Sequence, residues 1–227
     1  MNYKDITLIL PTLNEERNIQ KLIKTVNSLY PGIRIIVADD GSTDKTQQIA
    51  GEFQNVAVLD RSSKRVKGLT ASVIDAFRLA KTRNIIVMDA DFQHPPEKIR
   101  EIADSLKCND LVIGARERVA NEWPLRRKLV SWGGDALART RLALKPFICL
   151  DTMSGFFGIK ASLFRNILSK KGKRFEKKGY KVLFEILKYL PKKTNIGHVN
   201  YVFGERKQGQ TKIRPKHIFY HLKSLFK

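Results

Sequence analysis

Residues 84–97 read NIIVMDADFQHPPE, and this stretch decides the fold because it joins an apolar segment to a charged turn. Asn84 to Met88 is almost wholly apolar, which predicts a short strand covered on both faces. Two carboxylates and an amide follow it directly, at Asp89, Asp91 and Gln93. Side chains of an extended segment repeat every two positions, so we expect these three to point to one side.

The same alternation of apolar strand and amphipathic helix fills the sequence around this stretch. Strands are predicted at 6–10, 34–38, 56–59, 84–88 and 111–113, the first closed by Pro11. Helices are predicted at 16–29, 69–80 and 95–106. A further helix is predicted to run toward Phe53, with Ser42-Thr43 as its N-cap. This order predicts an α/β fold: a single Rossmann-like domain with a mostly parallel central sheet and helices on both faces.

Acidic residues follow two of the predicted strands at the point where each strand ends. Asp39-Asp40 come after the second strand, as Asp89 and Asp91 come after the fourth, and residues 11–15 (PTLNE) end the first. In an open parallel sheet, ligands bind beyond the carboxyl ends of the strands. We therefore expect all these groups at one rim of the sheet.

Each of these motifs has two interpretations. Oxygen donors at Asp89, Asp91 and Gln93 suit a hard divalent cation, Mg²⁺ or Mn²⁺, completed by substrate phosphates. Alternatively, an Asp caps the helix predicted at 95–106. The DDGSTD segment at 39–44 supplies either a helix N-terminus or acceptors for a nucleobase or ribose, and both can hold at once.

Composition excludes several classes of protein. The 227 residues are 42% hydrophobic, which suffices for one domain with a core. No window approaches the ~18 apolar residues of a membrane-spanning helix. The N-terminus lacks the layout of a secretory signal, which predicts a cytoplasmic protein. Cys108 and Cys149 have neither disulfide-framework nor zinc-site spacing.

Positive charge is concentrated toward the C-terminus. Residues 165–227 hold 18 Lys and Arg against three acidic residues, a net charge of +15 out of +21 for the chain. Such a segment indicates an anionic partner. Charge alone does not decide whether this partner is a nucleic acid, a membrane surface or a phosphorylated substrate.

Taken in order, the motifs at 11–15, 39–44 and 89–97 are similar to those of inverting family-two glycosyltransferases with the GT-A fold. Further motifs look like those of dolichol-phosphate mannosyltransferases: Gly114-Ala-Arg116, Trp123-Pro124 with Arg127 and Ser131, DTMSGFF at 151–157, the segment 179–187, and FGER at 203–206 with Gly209 and Lys212. The resemblance covers roughly residues 5–220.

The resemblance implies transfer of a sugar, in the first place mannose from GDP-mannose, to a polyprenyl or dolichyl phosphate with inversion. It implies a nucleotide-sugar site formed by Pro11, Leu13, Glu15, Ala38, Asp40, Asp89, Ala90, Asp91, Arg206 and Lys212. It implies a metal site at Asp89, Asp91 and Gln93, and catalytic roles for Asp91, Arg116, Arg127 and Ser131, the last three on the acceptor phosphate. Residues 1–115 would be the nucleotide-sugar half, and 116–227 a basic, membrane-proximal acceptor half without its own core.

A phosphate acceptor also agrees with the residues that the sequence lacks. The four histidines show no paired pattern that would suggest a general base, and His94 is interpreted as a structural residue at a helix start. A phosphomonoester, whose second pKa is ~6, is already an anionic nucleophile at neutral pH.

Two alternatives stay open. Leu13 stands where mannosyl enzymes commonly have Tyr, which leaves UDP-glucose as a competing donor for a polyprenol-phosphate glucosyltransferase. A basic nucleic-acid-binding module is the alternative from another class. Rim carboxylates would repel a polyanion, so we expect no nucleic acid partner. A metal-dead scaffold is disfavoured by the intact residues at 89, 91 and 93.

The last predicted helix carries the membrane hypothesis. Ile218, Leu222, Leu225 and Phe226 recur at helical spacing with lysines off that face. This pattern predicts either a helix lying on the cytoplasmic face of the membrane as a peripheral anchor, or a helix docked on the sheet. An anchoring subunit is a further possible partner.

Overall fold

The computed structural model describes residues 3–119, 133, 136–142, 149–204 and 215–225. For 118, 119, 215–218 and 221 it describes the backbone alone. Everything below refers to these residues.

A seven-stranded sheet forms the centre of the molecule. Its strands are β1 (Ile6–Thr12), β2 (Arg34–Asp39), β3 (Val56–Asp60), β4 (Asn84–Val87), β5 (Leu111–Val119), β6 (Phe157–Lys160) and β7 (Ile196–Phe203). Their order is β3-β2-β1-β4-β6-β5-β7, and of the described strands β6 alone runs antiparallel to its neighbours. The predicted α/β fold with a mostly parallel sheet is confirmed.

Helices cover both faces of this sheet. They are α1 (Glu16–Leu29), α2 (Thr46–Gly51), α3 (Leu69–Leu79), α4 (Ile99–Ser105), α5 (Ala161–Lys171), α6 (Val182–Lys188) and α7 (Pro215–Leu225). Buried side chains of α1, α2 and α4 form one apolar cluster with the sheet, and those of α3, α5 and α6 form the other. Phe164 and Phe184 share this second cluster with Ile9 of β1, so residues far apart in the chain build one core.

Two predicted strand ends are wrong. β1 continues through Pro11 to Thr12, because the ladder to β4 ends at Ile9 while Thr12 O accepts from Asp40 N on the β2 side. Pro11 therefore turns its nitrogen toward a side without a ladder partner, where no N–H is needed. β5 runs to Val119 rather than ending at residue 113, because β7 pairs with it along its length.

The predicted cap of the second helix is also wrong. α2 begins at Thr46 after Lys45, without a side-chain cap bond from Ser42 or Thr43. Both residues instead hydrogen-bond to the loop that follows β1. The fourth helix starts with a 3₁₀ turn, Pro96–Lys98, before α4.

Candidate active site

The carboxyl ends of β1, β2 and β4 lie side by side, and their loops form the candidate site. β1 is paired to β2 on one side and to β4 on the other, in parallel. Chain connections leave the sheet in opposite directions from this point, which is where open α/β sheets bind ligands. The loops 11–15, 39–44 and 89–93 are therefore brought together as the sequence predicts.

Asp39 is the structural centre of the second loop. It is 0% exposed, and its Oδ1 accepts hydrogen bonds from Gly41 N at 3.1 Å, Ser42 N at 2.7 Å and Gln47 Nε2 at 2.8 Å. Its Oδ2 accepts from Thr12 Oγ1 at 3.0 Å and from Ser42 Oγ. Gly41 has φ +98°, a conformation that side chains rarely adopt. Asp39 thus organises the loop from inside.

Asn14 joins the first loop to the second. Its backbone N donates to Ser42 Oγ at 2.7 Å, and its side-chain Oδ1 accepts from Thr43 N at 2.8 Å. Glu15 is buried, and its N donates to Thr46 Oγ1 at 2.8 Å. These bonds fix the loop that carries the half-buried Pro11 and Leu13, two of the residues expected to line a nucleotide pocket.

Asp40 is held by an arginine that sequence reasoning missed. Arg61, 1% exposed, pairs with Asp40 Oδ1 and, through Nε at 3.1 Å, with Asp75. Gly68 N donates to Asp40 Oδ2 at 2.7 Å. Burial raises the pKa of the Asp40 carboxyl, while Gly68 and Arg61 favour its anion. The one sequence signal for Arg61 is a charged residue directly after an apolar strand.

The loop after β4 differs from the extended segment predicted for it. β4 ends at Val87, and Phe92 has φ +62°, so the alternation of side chains breaks inside the motif. Asp89 is 36% exposed, whereas Asp91 is 3% exposed and accepts from Gln93 N at 3.1 Å. The prediction that strand geometry alone aligns the three side chains is wrong, although the turn keeps them in one loop.

The chemistry of this loop fits a hard divalent cation. Two carboxylates and one amide oxygen are oxygen donors of the type that Mg²⁺ and Mn²⁺ prefer. Gln93 Nε2 donates to Gly204 O at 3.3 Å, which leaves Oε1 as the acceptor end of the amide. No group of three or more His, Cys, Asp or Glu that could hold a metal occurs among the described residues. Ligand and water oxygens would complete such a site.

His94 is buried at 2% exposure and makes two polar contacts. Its Nδ1 lies 2.8 Å from the Tyr201 hydroxyl, and its Nε2 lies 3.3 Å from Asp89 Oδ2. The prediction of a structural residue before a helical turn therefore omitted its link to the candidate metal loop. Tyr201 lies on β7, too far along the chain for any local pattern to reveal it. Burial raises the pKa of Tyr201 well above its ordinary value, so its hydroxyl stays protonated.

Arg116 lies at the same rim and forms a two-pronged ion pair. Its Nε and Nη2 donate to Asp151 Oδ2 and Oδ1 at 2.6 and 2.9 Å, and its guanidinium lies 5.5 Å from the centre of the Phe203 ring. Burial opposes ionisation of Asp151, but Arg116 outweighs it and lowers the pKa of Asp151 below its ordinary value. Arg127, Ser131, Arg206 and Lys212, predicted to contact phosphates, lie outside the described residues.

The C-terminal helix is docked at its end and exposed along one side. Ser224 and Leu225 are buried, and Ser224 accepts from the buried Lys188 Nζ at 3.2 Å. Phe219 and Leu222 are exposed. Docking on the core, the second interpretation of this segment, thus applies to the last turn. In the part of the chain that the structure describes, none of the helices is long and apolar enough to cross a membrane.

Comparison with known proteins places the chain in a family. Residues 7–168 match the model of glycosyl transferase family 2. The chain is 34% identical to the dolichol-phosphate mannosyltransferase of Pyrococcus furiosus over 98% of this chain, and spans 63% of the length of that protein. It is 29% identical to the dolichol-phosphate mannosyltransferase of Saccharomyces cerevisiae, covering 97% of this chain and 85% of the yeast protein.

Solved structures support the fold. Mannosyl-3-phosphoglycerate synthase from Rubrobacter xylanophilus matches with a TM-score of 0.65 at 16% identity, covering 97% of this chain and 72% of that one. Glucosyl-3-phosphoglycerate synthase from Mycobacterium tuberculosis, crystallised with Mn²⁺, UDP-glucose and glycerol 3-phosphate, matches with a TM-score of 0.61 at 19% identity, covering 97% and 80%. The GT-A fold and the family resemblance predicted from the motifs are both confirmed: the chain belongs to glycosyl transferase family 2.

Proposed function

We propose that this chain transfers mannose from GDP-mannose to a polyprenyl or dolichyl phosphate with inversion at the sugar carbon. The observation that carries the proposal is the rim itself, where a partly exposed Asp89 stands beside the loops after β1 and β2 in a family-two glycosyltransferase. The curated relatives named as dolichol-phosphate mannosyltransferases support the choice of donor sugar and acceptor.

The donor would bind across the three strand-end loops. The base and ribose would lie against the loops after β1 and β2, and the diphosphate would face the loop after β4. The residues assigned to the nucleotide sugar are Pro11, Leu13, Glu15, Ala38, Asp40, Asp89, Ala90 and Asp91, with Arg206 and Lys212 closing over the phosphates. This assignment makes residues 1–115 the donor half and 116–227 the acceptor half.

The metal would be Mg²⁺ or Mn²⁺, held by Asp89, Asp91 and Gln93. Its contribution would be neutralisation of the charge that develops on the departing nucleoside diphosphate. Support comes from the oxygen donors of this loop and from the Mn²⁺ in the structurally similar mycobacterial enzyme. The protein would orient these oxygen donors. The hydrogen bond from Gln93 Nε2 to Gly204 O orients the amide of Gln93.

The acceptor phosphate would be positioned by Arg116, Arg127 and Ser131. Asp151 fixes the plane of the Arg116 guanidinium, so that one fork orientation is presented to the acceptor side of the site. A phosphate oxygen is anionic at neutral pH and needs no general base. Its attack opposite to the nucleoside diphosphate forms the new sugar–phosphate bond, breaks the old one and inverts the carbon.

Membrane contact would be peripheral and on the cytoplasmic face. Phe219 and Leu222 project from α7 in a segment rich in Lys and Arg. Apolar side chains surrounded by basic residues are suited to the headgroup region of anionic bilayers. A membrane-anchoring subunit would add to this attachment.

A transfer assay tests the proposal. The protein is incubated with Mn²⁺, dolichyl phosphate and either labelled GDP-mannose or labelled UDP-glucose, and label is measured in the organic phase. We expect mannosyl lipid from GDP-mannose, released by mild acid, and no transfer when dolichol replaces its phosphate. Glucosyl lipid in place of mannosyl lipid would establish UDP-glucose, the competing donor that Leu13 in place of Tyr leaves open. Absence of any lipid product would overturn the proposal.

A further inference from the structure

We propose that His94 and Tyr201 form a positioning pair that fixes the Asp89 carboxylate for the donor–metal complex. This inference rests on the proposed function in one respect, that Asp89 binds the donor side of the reaction. Neither His94 nor Tyr201 would touch substrate. Their effect would pass through Asp89.

The directions of the two hydrogen bonds follow from the chemistry of the groups. An ionised Asp89 can only accept, so His94 Nε2 must carry the hydrogen in the 3.3 Å contact to Oδ2. In the imidazole tautomer with its hydrogen on Nε2, Nδ1 is an acceptor, to which the Tyr201 hydroxyl at 2.8 Å can donate. Tyr201 therefore selects the ring form that can hold Asp89, as outer partners do for ligand side chains in metal sites.

Packing prevents the imidazole from turning away. The rings of Phe156 and Phe203 lie 5.4 and 5.3 Å from the His94 ring. A Cβ added at Gly155 would lie 2.9 Å from Asp89 Oδ2 and 3.2 Å from His94 Nε2, so only glycine leaves room for this contact. The Asp89–His94 hydrogen bond is thus enclosed by backbone on one side and by aromatic rings on the other.

The pair also links the two halves of the proposed reaction. Tyr201 of β7 is the register partner of Arg116 of β5, the arginine proposed to position the acceptor phosphate. Phe203, two residues further, contacts both the Arg116 guanidinium and the His94 ring. One strand thereby sets the separation between the donor carboxylate and the acceptor arginine.

Calorimetric titration of the full chain with Mn²⁺ in the presence of GDP tests this inference without turnover. Tyr201→Phe and His94→Leu should weaken Mn²⁺ binding about tenfold or more, the range found for outer partners of metal ligands. His94→Gln should stay within about threefold of wild type, because its amide can donate to Asp89 from a position close to that of Nε2. GDP binding without metal should not change.

Two controls separate positioning from general damage. His198 lies on the same strand, and His198→Leu should leave Mn²⁺ affinity unchanged. Tyr201→Phe removes a single oxygen atom, so we expect this variant to fold. A cooperative thermal unfolding transition would show that it does. Wild-type Mn²⁺ affinity in folded Tyr201→Phe, or equal losses in His94→Gln and His94→Leu, would overturn the inference. If wild type binds Mn²⁺ and GDP but forms no mannosyl lipid, the proposed function fails while this inference stands.

Discussion

The two acidic loops at the rim, 39–44 and 89–93, have similar compositions and opposite surroundings. Asp39 is 0% exposed and accepts from five donors of its own chain. The Asp89 side chain is 36% exposed, and His94 Nε2 lies 3.3 Å from its Oδ2. Asp39 therefore builds its loop from inside, whereas Asp89 is left accessible to a ligand.

The two loops also differ in how far along the chain their hydrogen-bond partners lie. Those of Asp39 include Gly41, Ser42 and Gln47, so this loop organises itself largely within eight residues. The loop after β4 depends on Tyr201 of β7 and on Gly204, which directly follows β7, both more than a hundred residues away along the chain. We therefore expect changes in the first loop to act on stability and changes in the second to act on catalysis.

Asp91→Ala should have the largest effect on catalysis, reducing transfer to background. The variant removes a carboxylate from the loop proposed to hold the metal, while β4 before the loop and the 3₁₀ turn after it stay intact. Initial rates of lipid mannosylation and thermal unfolding are measured together. Asp104→Ala, an exposed carboxylate on α4, is the matched control and should retain activity. Metal-dependent turnover at the wild-type rate in Asp91→Ala would remove this loop from the site.

Asp39→Asn should have the largest effect on stability. An amide cannot accept from five donors, and each buried donor left unpaired costs about 1 to 3 kcal/mol. We expect a loss of roughly 3 kcal/mol, or a melting temperature lower by about 6 to 12 °C. Asp60→Asn, at the exposed end of β3, is the control. Unchanged melting of Asp39→Asn would show that the two loops do not differ as described.

Asp151→Asn extends the comparison to the acceptor side through its pH dependence. Because Arg116 lowers the pKa of Asp151, ionisation of this carboxyl stabilises the fold above its unfolded pKa. This contribution is lost as the pH falls through the lowered, folded value. At pH 7 the variant should be less stable by about 1.5 to 3 kcal/mol, and the difference should shrink toward pH 3. Denaturant unfolding across this range measures it, and a constant difference would contradict the assignment.

The exposed face of α7 should give the smallest effect, one on membrane binding alone. Replacing Phe219 and Leu222 with Ser should reduce co-sedimentation with anionic vesicles severalfold and leave thermal unfolding unchanged, because both side chains are exposed. Leu225→Ser, which alters a buried side chain, should lower the melting temperature instead. Binding that persists in the double variant, or that is equal on neutral vesicles at every salt concentration, would exclude this face as the membrane contact.

Local patterns were enough to predict the order of elements as far as β5, and the rim, but not the strands and helices that follow β5. Apolar strands such as 84–88 and helical spacing such as 16–29 depend on neighbours within one or two turns, so the sequence displays them directly. The continuation of β1 through Pro11 depends on where its pairing with β4 stops, and the positive φ of Phe92 breaks an alternation that the local pattern suggested. Arg61 and Tyr201 were missed because their partners, Asp40 and His94, lie 21 and 107 residues away.

Calorimetric titration of wild-type protein with GDP-mannose and with UDP-glucose, each with and without Mn²⁺, tests the central claim most directly. That claim is that the loop after β4 binds a GDP-sugar through a divalent cation. We expect GDP-mannose to bind at least about tenfold more tightly than UDP-glucose, which is 1.4 kcal/mol, and removal of Mn²⁺ to weaken the binding of both donors. Tighter binding of UDP-glucose, or GDP-mannose binding that is the same without metal and in Asp91→Ala, would contradict it.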